Sequence, residues 1–475
     1  MTKKIYLELS EDAGSSHKFY EVVIDDCTVT IRYGRIGTDG TSSTQTLSSH
    51  DEALKFGDKK AKEKMKKGYE EAVVGVRQKR TVTRRQIESK PPAAKTKKSP
   101  IVWRFRSTST AFGIFISEDA CWLGNQSGQV FKLSHEGEVL AQYQLPDGVK
   151  CIVGDSDWIY VGCDDGNVYD LTGKIPRLAY KINESVDIYW LDIHNGLLGI
   201  SDGGGNITVI DYEDEEQWSN KGKGTSAWMV RCDESVRVFY GDSSGVACYY
   251  GYDGRELWYH KTAPILFGWQ EKEKIYVATS LSKIHSFTKD GNPLQTYLAD
   301  AAIYSCATSE EGKYIFAGDN CSSLYCFDET GKRLWKLASG CGSACSMQYF
   351  KDKVYVVTTD GSLACIDASE IAIQQAEEGI VPVSKDIKAP TQAVTVTETT
   401  LLETATDTST GVIVQCIKEG EKLRVKVISA GYEKWYVQFP NNLRVEGQYY
   451  LVDAIKEAAQ GGFYRVHGNI YKHTI

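Results

Sequence analysis

A repeat that runs through residues 101–370 constrains the fold more than any other feature of this sequence. Each copy combines an alternating segment, a small-residue turn, a second alternating segment, an Asp/Gly turn and a segment that carries tryptophan or tyrosine. The clearest copies end in Gly331-Lys-Arg-Leu-Trp335 and Gly254-Arg-Glu-Leu-Trp258. Equivalent turns recur about every 35–45 residues, and this period with four short strands per unit is typical of a β-propeller.

The two ends of the repeat indicate how the propeller closes. Seven copies are counted, and Ile101-Val-Trp103-Arg-Phe resembles the tryptophan strand of a copy that lacks its beginning. The last copy, after Asp367, lacks that same strand and turns into a helical stretch from Glu370. We therefore expect the first strand to complete the last blade, which removes two exposed sheet edges.

The repeat resembles the propeller family named after the pyrroloquinoline-quinone enzymes, whose blades carry a turn like Thr330-Gly331…Trp335. The resemblance implies the fold and not the activity, since those enzymes usually have adjacent cysteines beside the cofactor and Cys-Cys does not occur here. The 13 cysteines and eight histidines are scattered and form no metal-ligand spacing. We predict no cofactor, no metal site and no catalytic residues.

The sequence around the repeat predicts a mainly β protein with a small α+β domain before the seven-bladed propeller. Residues 1–76 are predicted to contain three strands and a helix, and residues 77–100 a basic linker. The propeller spans residues 101–370. A threonine-rich linker is predicted over residues 371–410, and a small β-rich domain over 411–475, with a short helix near Val452–Ala459.

Charge is distributed unevenly between residues 1–100, called the head below, and residues 101–475. Residues 1–100 hold 21 Lys and Arg against 14 Asp and Glu, a net charge of +7, which leaves −15 for the remainder. This asymmetry indicates a polyanion partner for the N-terminal end alone. No apolar run reaches the roughly 18 residues that cross a bilayer. Charged residues interrupt the apolar residues of the N-terminal segment, which is unlike a signal peptide. We expect a cytoplasmic protein with no membrane contact.

A candidate site follows the strand Thr28–Arg32. The tripeptide Tyr33-Gly34-Arg35 ends this strand, and a glycine-rich turn leads to a helix with the capping box Ser49…Glu52. The inner helix face is predicted to carry Leu54, Gly57, Ala61 and Met65, and Gly68 is placed to end the helix. The residues predicted to bind nucleic acid are Tyr33, Arg35, Arg32, Lys55, Lys59, Lys62 and Lys66.

Residues 18–71 resemble a WGR domain. The match comprises Lys18-Phe19-Tyr20-Glu21, the core Arg32–Gly37, Gly40, the helix from Ala53 to Phe56, and Lys66-Lys67-Gly68-Tyr69. In poly(ADP-ribose) polymerases the tripeptide of this domain helps to hold DNA at a break, which implies stacking for Tyr33 and phosphate contact for Arg35. Tyrosine stands here where the family prefers tryptophan, so weaker or altered binding is expected. The polymerase domain has no counterpart in this chain.

These features together predict a non-catalytic adaptor whose head binds nucleic acid and whose propeller binds protein partners. One alternative is a scaffold that binds only proteins and works with a partner enzyme. Another is an enzyme that uses the propeller channel, where Asp164-Asp165-Gly166 and Gly203-Gly204-Gly205 offer a ligand or cation site. Gly and Asp are also the residues that tight blade turns require. In the head, the alternative is that Tyr33 packs in the core and Arg35 pairs with Asp39.

Overall fold

The computed structural model divides the chain into two compact units, residues 1–86 and 87–475. It describes residues 2–10, 17–35, 40–67, 69–71, 98–155, 157–173, 175–211, 215–387, 396–398, 411–458 and 461–473. The predicted basic linker therefore lies largely outside the described residues.

The N-terminal unit is an antiparallel sheet with one helix packed on it. The strand order is β4-β3-β2-β1-β5, and the elements are β1 Lys3–Ser10, β2 His17–Asp25, β3 Thr28–Arg35, β4 Thr41–Thr46, α1 His50–Met65 and β5 Glu70–Glu71. The sequence predicts three strands before the helix, whereas the structure has four. The strand β4 is entirely polar and exposed along its length, so it lacks the hydrophobic alternation that marks a strand.

The helix α1 begins where its capping box predicts. Ser49 is the N-cap, and its hydroxyl accepts a hydrogen bond from the backbone N–H of Glu52 at 3.3 Å. Its buried face is Ala53, Gly57 and Ala61. A Cβ at Gly57 would lie 2.6 Å from Cδ1 of Ile24, so the glycine lets the helix approach the sheet closely. Leu54 and Met65 flank this face and are half-buried, and Gly68 lies outside the described residues.

The second unit contains seven four-stranded antiparallel blades. The first three blades are β7–β10 (Ala111–Ile116, Cys121–Asn125, Gln129–Leu133, Val139–Gln144), β11–β14 (Val149–Asp155, Trp158–Cys163, Asn167–Asp170, Arg177–Lys181) and β15–β18 (Ile188–His194, Leu197–Asp202, Asn206–Ile210, Glu216–Lys221). The next three are β19–β22 (Met229–Cys232, Arg237–Gly241, Gly245–Tyr250, Glu256–Lys261), β23–β26 (Ile265–Gln270, Lys274–Thr279, Lys283–Thr288, Pro293–Leu298) and β27–β30 (Ile303–Thr308, Tyr314–Asp319, Ser323–Asp328, Arg333–Ala338).

The seventh blade confirms the predicted closure of the ring. It consists of β31 Ala344–Phe350, β32 Lys353–Thr358 and β33 Ser362–Asp367, completed by β6, Ile101–Arg106. The strands β33 and β6 run antiparallel, with Cys365 opposite Trp103. The first and last strands of the repeat thus lie side by side in one sheet.

The segment predicted as a threonine-rich linker forms structure on two blades. The helix α2 (Glu370–Glu377) follows β33 and buries Ile373 and Ala376. Two short strands, β34 (Lys385–Ile387) and β35 (Val396–Glu398), then add in parallel to β6 and β10. They cover the outer edges of the last and first blades, whose backbone groups would otherwise face solvent.

The C-terminal strands form a closed barrel in the order β36-β37-β38-β40-β39. They are β36 Val412–Glu419, β37 Lys422–Val427, β38 Tyr436–Gln438, β39 Tyr449–Glu457 and β40 Phe463–His473. The predicted helix near Val452–Ala459 is wrong, because β39 continues to Glu457 and pairs with β40 to that residue, and with β36 as far as Val452. Cross-strand pairing outweighs the local helical preference of the segment.

Candidate nucleic-acid interface

The strand β3 places the ring of Tyr33 at the surface of the N-terminal unit. Tyr33 lies directly opposite Tyr20 on β2, so both side chains project from the same face of the sheet. Their ring centroids are 6.2 Å apart with the planes 26° from parallel. Because Tyr33 is 47% exposed, it is not a core residue. Tyr20 supports the ring, and about half of it is available to a partner.

Gly40 lies close to the backbone of Tyr33, just before β4 begins. Its φ is +64°, in the left-handed region that favours glycine. A Cβ at this position would lie 2.6 Å from the carbonyl oxygen of Tyr33 and 2.7 Å from Cζ of Phe19. A larger residue would therefore displace the backbone of Tyr33 or the ring of Phe19.

A lysine lies beside the stacked rings. The Nζ atom of Lys64, on α1, is 4.6 Å from the ring centroid of Tyr20 and 5.4 Å from that of Tyr69, within the range of a cation–π contact. Tyr69 meets Tyr20 edge-on at 6.3 Å. We call Tyr20, Tyr33, Tyr69 and Lys64 the tyrosine–lysine cluster. It combines an exposed ring with a nearby positive charge.

Other positive charges surround the cluster. Burial and the charges of Lys67, Lys60 and Lys18 lower the pKa of Lys64 below its ordinary value. The repulsion means that these lysines lie close enough to raise the local positive potential. Glu63 balances part of it, since it lies 3.5 Å from Lys60. An anion placed against Tyr33 would relieve the remaining repulsion.

Arg32 is held by an internal ion pair. Its Nε donates to Glu21 at 3.0 Å, and its guanidinium lies 5.1 Å from the ring centroid of Phe19. Lys4 approaches the same carboxylate at 2.7 Å. Burial alone would raise the pKa of Glu21, but Lys4 and Arg32 outweigh it and hold that pKa below its ordinary value. Arg32 therefore stabilises the sheet, and only part of its side chain is exposed.

The comparisons with known proteins bear on this unit directly. Residues 3–76 match the family model described as the WGR domain. The N-terminal unit contains a WGR domain. This match confirms the resemblance seen over residues 18–71. Arg35 continues β3 opposite Lys18 in the backbone, but its side chain, Asp39 and the rest of the turn lie outside the described residues, so the role of Arg35 stays a prediction.

The rest of the chain matches known proteins by its repeat. Residues 203–430 match the family model described as outer membrane protein assembly factor BamB. No curated protein matches the chain. A crystal structure of the WD40 β-propeller domain of Doa1 is similar, with a TM-score of 0.51 and 11% identity, over 57% of this chain and 98% of that chain. At this identity the similarity shows the propeller fold alone.

The predicted lysine stripe lies on another side of the WGR domain's helix. The four lysines are exposed and have no ion pair among the described residues: Lys55, Lys59, Lys62 and Lys66. At about 100° per residue, they lie roughly 140–180° around α1 from Lys64. The structure therefore brings Lys64, which sequence reasoning missed, to the rings of Tyr20 and Tyr69 and leaves the stripe apart. Tyr20 in turn stacks on Tyr33. The available signal was spacing, since Lys64 lies three residues after Ala61, at the border of the buried face.

The turns proposed as a channel site are structural parts of the blades. Asp164 forms an ion pair with the buried Lys150, and Asp165 accepts hydrogen bonds from Asn167 and Tyr169. Gly205 has a φ of +82°, and a Cβ there would lie 2.4 Å from the carbonyl oxygen of Gly224. In the described part of the chain no three His, Cys, Asp or Glu side chains are grouped to hold a metal ion. Nor does any helix there have the length and apolar character to span a membrane.

Proposed function

We propose that this protein is a non-catalytic adaptor whose WGR domain binds the phosphate backbone or ends of a nucleic acid and whose propeller binds protein partners. The observation that carries the first half is the tyrosine–lysine cluster. Tyr33 is a half-exposed ring that stacks on Tyr20, and Lys64 lies over the Tyr20 ring. This arrangement offers stacking to a base and charge to the adjoining phosphates. Nothing in the cluster resembles a base-reading element, so recognition of backbone, ends or shape is expected.

The charge of the two units supports the same division of roles. Lys18, Lys60 and Lys67 lie close enough to Lys64 of the tyrosine–lysine cluster to act on its charge, whereas residues 101–475 bear a large excess of acid. A polyanion is attracted to the first region and repelled by the second. Nucleic acid therefore meets the chain through the WGR domain.

The propeller offers an uncovered blade edge to a protein partner. Within the part of the chain that the structure describes, no further strand pairs with β26, the outer strand of the fifth blade, whereas β6 and β10 are covered by β34 and β35. Leu294 and Leu298 on β26 are 50% and 59% exposed, and Leu281 in a neighbouring turn is 67% exposed. An edge strand with exposed leucines is suited to an extended apolar segment of another protein.

Binding of the full-length chain to fluorescent nucleic acids tests the proposal. Anisotropy is measured with intact, nicked and blunt duplexes and with a single strand, from about 50 to 200 mM salt, where phosphate contacts weaken steeply. We expect salt-dependent binding that is weakened by Tyr33→Ala. The matched control is Tyr252→Ala, since Tyr252 is a 53% exposed tyrosine on the propeller.

Two results would contradict the nucleic-acid half of the proposal. One is the absence of salt-dependent binding to every probe, and the other is equal affinity for wild type and Tyr33→Ala. A pull-down with the full chain, before and after nuclease treatment, then shows whether the WGR domain holds an acidic protein instead. Partners that survive nuclease and are lost with Lys64→Gln would support the scaffold alternative.

A further inference from the structure

The barrel is joined to the second blade by buried polar contacts. The indole N–H of Trp158 donates to the carbonyl oxygen of Val466 at 2.7 Å. Arg465 reaches from β40 to the blade, where its guanidinium lies 3.9 Å from the ring centroid of Trp158. The same group donates to Asp155 at 2.9 Å and to the hydroxyl of Tyr160 at 2.7 Å. These contacts fix the barrel against the propeller.

A half-open crevice lies beside this junction. It is lined from the blade by Tyr160, Arg177 and Tyr180, and from the barrel by Gln438 and Arg465. Its free volume is about 20 Å³, which is more than the ~10–15 Å³ that a single water needs. The crevice therefore admits a group of a few atoms and excludes a large ligand.

Two buried donors in the crevice have no acceptor among the described residues. The Nε of Arg177 and the Nε2 of Gln438 are both buried, and neither donates a hydrogen bond to any residue that the structure describes. Gln438 is only 6% exposed. Buried N–H groups of native proteins are nearly always satisfied, so two of them lining one small space point to an acceptor that belongs there.

The unsatisfied groups themselves indicate the kind of partner that is missing. Both arginines of the lining already have a carboxylate, since Arg177 pairs with Asp170 and Arg465 pairs with Asp155. The two unsatisfied groups are N–H donors, and donors neither coordinate a metal ion nor accept from an ammonium group. The arrangement suits a small group with oxygen acceptors, and hydrogen bonds to it from a guanidinium and an amide are strongest when it is ionised.

We propose that this crevice binds a small carboxylate, with one oxygen accepting from Arg177 and the other from Gln438. A planar carboxylate has two acceptor oxygens and few other atoms, which suits two donors in a restricted space. Trp158, Tyr160 and Tyr180 give the aromatic walls that limit what can extend from the carboxyl group. The site does not depend on the proposed function of the WGR domain. It would couple ligand binding to the junction between barrel and propeller.

Thermal unfolding of the full chain in sodium acetate tests the site. Acetate is titrated against chloride at constant ionic strength, with phosphate as a second arm that has the same charge chemistry but is tetrahedral and larger. We expect acetate to raise the unfolding temperature saturably, by roughly 1–3 °C at concentrations well above its Kd. Phosphate is expected to raise it less.

Variants at Gln438 connect the effect to the crevice. Gln438→Glu places a carboxylate inside the site, so we expect a higher unfolding temperature without acetate and no response to acetate. Gln438→Leu removes one donor and is expected to reduce the acetate response at least tenfold in apparent affinity. The control is Gln415→Glu, which adds the same charge to a half-buried position of β36 and should keep the wild-type response.

Three outcomes would overturn the proposal. The first is no acetate effect beyond chloride, which would leave the crevice to water. The second is an acetate response unchanged in Gln438→Glu and Gln438→Leu, which would place the anion elsewhere. The third is a larger response to phosphate than to acetate, which would show a less selective anion site. Crystals soaked in acetate provide a direct check, since density between Arg177 and Gln438 is expected.

Discussion

Two regions of the molecule contain the same kind of contact, a cation over an aromatic ring, in opposite surroundings. In the WGR domain, Lys64 lies 4.6 Å from the ring of Tyr20. The charged groups that lower the pKa of Lys64 are other lysines. At the junction of barrel and propeller, Arg465 lies 3.9 Å from the ring of Trp158 and is paired with Asp155. One cation is in excess and near the surface, whereas the other is neutralised and buried.

Whether a cation has a partner within the protein distinguishes charges that stabilise the fold from charges that are available for binding. A neutralised cation such as Arg465 is needed to satisfy partners within the protein, and removing it leaves the largely buried carboxylate of Asp155 without this cation. An excess cation such as Lys64 has no carboxylate partner among the described residues, so an external anion gains by approaching it. The contrast predicts that substitutions in one region alter stability and those in the other alter binding.

Removal of Arg465 should have the largest effect on the protein. Arg465→Ala leaves Asp155 and the hydroxyl of Tyr160 without their partner in a buried junction, and we expect a loss of about 3–5 kcal/mol in the free energy of unfolding. Urea denaturation of the full chain measures this loss. The affinity of the folded protein for nucleic acid should not change.

Lys456 provides the control for that substitution. Its ion pair with Asp157 joins the same two parts of the chain, but both side chains are about half exposed. Lys456→Ala is therefore expected to cost less than about 1 kcal/mol. Equal losses of unfolding free energy for the two substitutions would show that burial does not determine the contribution of Arg465 to stability. The distinction between structural and binding cations would then be wrong for this junction.

Removal of the Tyr33 ring should have the next largest effect, and on binding alone. Aromatic stacking contributes about 1–3 kcal/mol per base, so Tyr33→Ala should weaken nucleic-acid binding by roughly 5–150-fold while the free energy of unfolding changes little. Tyr33→Trp supplies the residue that WGR domains prefer and should strengthen binding. If Tyr33→Ala destabilises the fold as much as it weakens binding, the ring has a structural role.

The ion pair of Glu21 should give the WGR domain a moderate dependence on pH. Because Lys4 and Arg32 hold the pKa of Glu21 below its ordinary value of 4.5, the folded state favours the ionised form. This stability is fully present above about pH 4.5 and is lost as the pH falls through the lowered pKa. Glu21→Gln should cost about 1 kcal/mol at neutral pH, since Lys4 and Arg32 are partly exposed.

The pH profile distinguishes that pair from a general acid effect. Wild type and Glu21→Gln should differ in unfolding free energy at pH 7 and converge as the pH approaches 3. A constant difference between them over this range would show that the charge of Glu21 does not contribute. Arg32→Gln should reproduce the loss of stability, in contrast to a pure binding residue.

Much of the fold could be predicted because its signals are local. The Asp/Gly turns and tryptophan strands repeat within each blade, and the capping box of Ser49 lies within four residues. The strand β39 was predicted in part as a helix because its pairing with β36 and β40 involves distant residues. The parallel strand β34 is only three residues long, so no periodic pattern could reveal it.

The candidate site could be predicted in part, for the same physical reason. The motif identified Tyr33, but its half-exposed position depends on Tyr20 across the sheet. The spacing of Lys55, Lys59, Lys62 and Lys66 revealed a real exposed stripe, and helix rotation alone does not show which side faces Tyr33. The unpaired donors of Arg177 and Gln438 meet only after the barrel docks, so no local pattern predicts them.

The smallest expected effect separates the two groups of lysines. Lys64→Gln keeps most of the side-chain length over Tyr20 but removes a charge beside the exposed ring. If Lys64 neutralises one phosphate, the slope of log K against log salt should become shallower by about 0.7–0.9. Lys59→Gln removes an exposed charge on the far side of α1 and should leave the slope unchanged. The opposite result would be a shallower slope with Lys59→Gln and an unchanged slope with Lys64→Gln. It would place nucleic acid on the lysine stripe, and Lys64 would then not act together with the Tyr33 ring in binding.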